Sequence, residues 1–181
     1  MTPETFIAEC RDCIASGGGP ADIAALVRAA LVSQRDDPAW QGRDEFLYRS
    51  AALLIVNVTL PPHGATPVHD HGMWAVVGVS SGCELDRFYV RGRDGGLDVV
   101  EDITVPAGTA IAMDADAIHA IFNPLPIEMR GIHVCGGDMV SAPRNMWHPQ
   151  TGDMLPYDGK VFEEWCEALT RAARPAQAPA C

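Results

Sequence analysis

Two histidines one residue apart, His69 and His71, sit in TPVHDHGMWAVV, residues 66–77, a run that otherwise reads as an apolar strand. Side chains at i and i+2 of a β-strand point to one face, so both imidazoles project together while Asp70 faces the other way. That is an arrangement a metal ion can use. A third histidine, His119, lies in DAIHAIFN, with Asn123 four residues after it. Two ligands from one strand and a third from a distant strand occupy one face of a metal and leave its other positions open, as a catalytic site requires and a structural one does not. A single histidine inside a strand is ordinarily a core or surface residue satisfied by hydrogen bonds. The H-x-H pair, with a third histidine before an Asn, is the less accidental pattern. His63 and His148 sit in Pro-flanked loops, where the plain reading is preferred.

These residues need a scaffold, and the chain signals one. Apolar residues recur at helical spacing over 3–15 and 20–34, with Ile23, Leu26, Val27, Ala30 and Leu31 on one stripe, and SGGGP at 16–20 breaks the two helices apart. From about residue 46 come FLYRSAALLIVNVTL, WAVVGVSSG, ELDRFYVRG, LDVVEDITV, TAIAMDAD, AIHAIFN and MRGIHVCGG, short β-branched or aromatic runs punctuated by Gly, Pro, Asn and Asp. Many short strands at nearly regular spacing predict an all-β sandwich or jelly-roll barrel. After Pro143 the chain reads as loop through HPQTGDMLPYDG, then VFEEWCEALTRAA as a closing helix and RPAQAPAC as a loose tail.

At 181 residues the chain is long enough for one well-buried core and short for two. A formal charge of −11 and a pI near 4.8 argue against a nucleic-acid surface, since phosphate binders cluster Lys and Arg. The opening MTPETFIAEC lacks a basic stretch before an apolar core, and runs such as AALLIV at 51–56 are too short to span a bilayer, so a soluble, cytoplasmic protein without membrane partners is expected. Six cysteines in such a chain do not make a disulfide scaffold, and reduced thiols follow. Cys10 and Cys13 form a lone C-x-x-C in a helix-like segment with no second ligand pair, and read as plain helix residues.

PPHGATPVHDHGMWAVVGVSSG, TVPAGTAIAMDADAIHAIFNP and GIHVCGGDM resemble the three landmark segments of the thiol dioxygenases, the cysteine dioxygenase and 3-mercaptopropionate dioxygenase group of cupins. The likeness covers roughly residues 45–158 and extends into APRNMWHPQTGDMLPYD, which resembles bacterial members. It implies a cupin jelly-roll barrel over 45–158, a helical segment over 1–44 packed on it and a closing helix and tail over 159–181. It also implies mononuclear Fe(II) on His69, His71 and His119, with a small thiol and O2 as partners and a monomer or small homo-oligomer as the assembly. Ordinary cupins carry a glutamate ligand shortly after H-x-H, and here Met73 to Val77 offers none. Three neutral imidazoles leave Fe(II) its full charge, which favours an incoming thiolate.

Family members usually carry a Ser-x-His-x-Tyr row on a late strand; here it is Gly131, His133 and Cys135, and only the histidine survives. A thiol is a weaker donor than a phenol and smaller, so Cys135 removes a hydrogen bond and widens the pocket, while Gly131 removes the hydroxyl that would orient His133. The Cys-Tyr crosslink of the eukaryotic type is ruled out, with no tyrosine in the row and Val76 five residues after His71. Three readings stay open: a bulkier thiol, a slower or altered enzyme, or another oxidation altogether; beside them stand two rivals, a metal cupin oxidising or isomerising a non-thiol compound and a non-catalytic cupin that binds a small molecule. Cys135 as an added metal ligand is a further option. Arg144 matches the carboxylate-binding arginine that bacterial members place after this row, against the alternative of a surface loop arginine. Arg43 and Arg49 precede the first core strand, where the cysteine-specific type places its own. Trp74 and Trp147 read as core residues before pocket residues.

Overall fold

The computed structural model describes residues 1–40, 46–93 and 95–173. Arg43, the tail from Arg174 and Cys181 lie outside the described residues. The apolar stripes at the start form α1 (Pro3–Ala15) and α2 (Pro20–Asp36). Each opens on proline, whose fixed φ suits a first turn and whose missing N–H has no partner to lose there. The Thr2 hydroxyl caps α1 by accepting from Thr5 N at 3.2 Å, and Asp22 accepts from Gly19 N at 3.0 Å to cap α2. A single 3-10 turn, Pro38–Trp40, follows.

Among the described residues eleven strands come next: β1 (Phe46–Arg49), β2 (Leu54–Leu60), β3 (His69–Asp70), β4 (Ala75–Ser81), β5 (Cys83–Arg91), β6 (Leu97–Pro106), β7 (Ala110–Met113), β8 (Ile118–Phe122), β9 (Met129–Cys135), β10 (Asn145–Trp147) and β11 (Met154–Pro156). They pair antiparallel into two sheets, one ordered β1-β2-β9-β4-β7 and the other β11-β10-β3-β8-β5-β6. The chain closes on α3 (Gly159–Ala172). Two departures from the sequence reading stand out. FLYRSAALLIVNVTL splits at Ser50, whose hydroxyl accepts from Ala52 N at 3.3 Å and Leu53 N at 3.1 Å and turns the chain. The stretch after Pro143, read as loop, supplies β10 and β11; each is three residues long, too short to show an alternating pattern, and forms because β3 offers an edge.

Alternation sorts the first sheet into two faces. Ile55, Val76, Ile132 and Val134 turn outward and pack with Phe6, Cys10, Ile23, Val27 and Leu31 of the helices. Leu54, Val56, Ala75, Val77 and Cys135 turn inward to meet Met113 and, from the second sheet, Phe88. Gly78 is the close point of the helix layer, since a Cβ there would collide with the Val27 side chain. Cys10 belongs to this core, where burial pushes its thiol up to about 12, and Cys10, Cys13, Cys135 and Cys166 are free thiols. Cys83 is disulfide-bonded, so the expectation of reduced thiols does not extend to it. No helix among the described residues is long and apolar enough to cross a membrane.

Asn123, singled out beside His119, serves the fold. It is fully buried, and its amide donates to Leu60 O, Pro61 O and Ile127 O at 3.3, 2.9 and 2.8 Å while its oxygen accepts from Leu125 N at 3.0 Å. It therefore ties the exit of β8 to the end of β2. Asn123→Ala strands those carbonyls away from water and lowers stability by about 1–3 kcal/mol, read as a fall in the urea midpoint with metal uptake by the folded protein unchanged.

Candidate metal centre

A strand of two residues cannot hold its own position, and β3 is placed by its neighbours. His69 is directly opposite His119 on β8 and pairs with Met146 on β10. Asp70, on the opposite side from the histidines, accepts from both the backbone N and the side-chain Nδ2 of Asn145, each at 2.7 Å. This two-point clamp fixes β3 to β10. His71 follows directly, and Gly72, at φ 67°, turns the chain away in a region that favours glycine.

The three imidazoles converge. His71 Nε2 lies 3.2 Å from both His69 Nε2 and His119 Nε2. In two of the three rings the other nitrogen settles the tautomer, while His71 Nδ1 is buried without a partner among the described residues. His119 Nδ1 donates to Asp86 Oδ1 at 2.9 Å, and His69 Nδ1 donates to the Pro67 carbonyl at 3.1 Å. Both rings therefore present bare Nε2 lone pairs to the same point. Burial, reinforced by the neighbouring imidazoles, holds His69 and His71 well below the ordinary histidine range, so both are neutral at pH 7. Two nitrogens each about 2.1 Å from one ion lie about 3.0–3.4 Å apart, so the spacing fits a shared metal. Among the described residues the group that could hold a metal is His69, His71 and His119, with Cys135 outside it.

A cavity of about 880 Å³ opens beside the triad, lined by His69, His71, His133, Cys135, Arg144 and Phe162 among others, while His119 sits behind it. Gly131, His133 and Cys135 share the inward face of β9, as the sequence spacing required. Burial pushes the Cys135 thiol up to about 12, so it is a neutral wall whose sulfur rests 3.8 Å from Met139 Sδ. Gly131 has a steric reason of its own: a Cβ there would fall on the Gly78 carbonyl oxygen across β4. Arg144 donates from Nε to Met139 O at 3.1 Å and lays its guanidinium 3.2 Å above the Tyr157 ring centroid. Arg49 is engaged elsewhere, in an ion pair with Asp138 at 2.8 Å. Trp74 packs against the helix-facing core and Trp147 under Arg91, as core readings implied. His148 Nδ1 accepts from Gln150 N and Thr151 N, and His63 takes a φ of 58° in its loop, so neither belongs to the site.

Sequence reading missed Glu84 and Asp86. Both are fully buried, two residues apart on β5, with Asp86 behind His119 and Glu84 Oε2 3.3 Å from His133 Nε2. CELDRF looks like a strand with its acids in water; the available signal was Phe88, which shares their face.

No protein-family model matches the chain, and no curated protein matches it in sequence. Among solved structures, the DMSP lyase DddQ of Ruegeria pomeroyi DSS-3 is 15% identical over 56% of this chain and 46% of its own, at a TM-score of 0.44. The Cnp3 cupin domain of Schizosaccharomyces pombe is 10% identical over 52% and 60%, at 0.43. The TT1209 protein of Thermus thermophilus is 22% identical over 51% and 79%, at 0.42. At such scores the likeness is partial and carries no argument about activity.

Three outcomes test the centre. His119→Ala leaves two donors and loses metal on dialysis, measured by elemental analysis; full retention refutes the triad. Asp86→Asn weakens the partner that fixes the His119 tautomer and lowers metal affinity about 10–100-fold. Gly131→Ser, which would restore the expected hydroxyl, instead meets backbone and costs about 1–3 kcal/mol in thermal or denaturant unfolding.

Proposed function

We propose that the chain is a cupin jelly-roll enzyme of the thiol dioxygenase type, holding Fe(II) on His69, His71 and His119 and adding O2 to the sulfur of a thiol to give a sulfinate. The observation that carries this reading is an all-imidazole donor set with no carboxylate, beside a cavity that holds a half-buried cation, Arg144. When bound, iron would supply open positions for thiolate and dioxygen and the transfer of both oxygen atoms to sulfur.

The chain's own residues do the rest. Arg144 offers a planar, always-charged group to a substrate carboxylate, and Tyr157 beneath it restricts the guanidinium to one plane. Phe162 meets the His69 ring edge-on at 5.1 Å and keeps water from that side of the triad. Cys135, small and neutral, leaves room where the resembled family has a phenol. A cavity of about 880 Å³ is in the range that takes drug-sized ligands, which favours a thiol bulkier than a small mercapto acid. His133, on the cavity wall, holds or passes a proton.

Oxygen uptake by the anaerobically Fe(II)-loaded protein, across carboxylated thiols of increasing size and their oxygen analogues, tests this reading. Thiol-dependent uptake with a sulfinate product is expected. Arg144→Ala raises KM for acidic thiols about tenfold or more, and Cys135→Tyr shifts the ranking toward smaller thiols. Iron-loaded protein that consumes no oxygen with any thiol returns the site to a non-thiol substrate or to ligand binding alone.

A further inference from the structure

Glu84 is out of place as a structural residue. Its side chain is fully buried, and among the described residues neither oxygen has a hydrogen-bond partner and its polar contact is the 3.3 Å ion pair with His133 Nε2, itself buried without a hydrogen bond. A carboxylate taken out of water costs several kcal/mol unless it is well paired, and an apolar side chain of the same size would fill the position at less cost. Cys135 cannot replace it as an orienting partner, because the Cys135 sulfur is turned to Met139. Nor can Gly131, which has no side chain.

We infer that Glu84 is the positioning residue of His133, turning the ring so that Nε2–H faces the carboxylate and Nδ1 is the nitrogen left to act in the cavity. The pair replaces the hydroxyl, imidazole and phenol row of the resembled family with a carboxylate and an imidazole. As a proton device it rests on the reading of the cavity as a thiol site. His133 accepts the S–H proton of an entering thiol at Nδ1, the electron pair stays on sulfur, and the imidazolium so formed is balanced by Glu84. The proton then leaves to water through the cavity mouth.

The repetition on β5 supports this: Asp86 backs His119 as Glu84 backs His133, two carboxylates on one face each committed to one imidazole. The charged and titratable groups around His133 are Glu84 and Asp86 on β5, His69 and His71, Cys135 on its own strand and Arg144 on the cavity wall. Burial opposes charge on His133 and the neighbouring Glu84 favours it, leaving the group above the ordinary histidine value, while burial likewise pushes the Glu84 carboxyl up against the pull of His133.

The test is the long-range proton–nitrogen spectrum of the imidazoles, recorded through a pH titration with and without added Zn(II), for wild type, Glu84→Gln and Glu84→Asp. The wild-type His133 is expected to keep its proton on Nε2 when neutral. Its midpoint is expected to fall by at least one pH unit, a tenfold change in proton affinity, in Glu84→Gln and by less in Glu84→Asp. With Fe(II) and the best thiol, kcat of Glu84→Gln falls at least tenfold with KM within about twofold and iron content unchanged. An unchanged His133 midpoint in Glu84→Gln overturns the assignment, and so does a wild-type neutral tautomer with the proton on Nδ1, which needs no variant to fold. Both readings are independent of turnover, so a protein inactive on every thiol would refute the proposed reaction while leaving the Glu84–His133 assignment to be judged by the spectrum.

Discussion

Imidazoles whose lone pairs face one another at 3.2 Å gain nothing from each other in a dry interior, so the surrounding structure must hold them there. That demand explains features that look incidental alone. A two-residue strand survives because Asp70 grips Asn145 at two points and because His69 sits opposite His119 in the ladder. Asp86 and the Pro67 carbonyl each take an Nδ1 proton, and the glycine turn at Gly72 releases the chain as soon as His71 is placed. Two of the three rings are thus fixed from behind, and His71, whose Nδ1 is buried without a partner among the described residues, is placed by the chain on either side of it.

Charge follows the same plan. The donors are imidazoles, and the acids stand one step back, on β5, where Glu84 and Asp86 point inward without exposure. A cation held by the triad would keep its full charge toward an incoming anionic group while feeling compensation from behind. Arg144 lies on the cavity wall with its burial opposing its charge and Tyr157 supporting it. The cavity therefore sets Arg144 against the imidazoles, with β2 lining another side and the charged side chains of α3 lining a further one.

Much of this was legible in the residues. The helices, the strand-rich middle and the H-x-H…H set are carried by periodicities and residue types that survive without tertiary information. The inward face shared by Gly131, His133 and Cys135 follows from the period of two. What was hidden depended on contacts across the fold. Strands of three residues show no alternation, so β10 and β11 are visible only once β3 offers its edge. Buried acids in CELDRF look like a solvated face until His119 and His133 are seen beside them. Gly131 reads as a lost hydroxyl in the sequence and as a requirement of the Gly78 carbonyl in the structure.

The closing helix α3 contributes Phe162, Glu163, Cys166, Glu167, Thr170 and Arg171 to the cavity and yet buries none of its residues. It is anchored by Phe162 against His69, by Thr170 Oγ1 accepting from Ala65 N at 3.2 Å, and by Trp165 edge-on to His148 at 4.9 Å. The roof of the cavity is thus held by a few partly buried contacts, while the walls belong to the two sheets. Ligand residence time and global stability are consequently set by different parts of the chain. Substitutions on the apolar side of α3 can speed or slow exchange with solvent while the unfolding midpoint stays where the sheets put it.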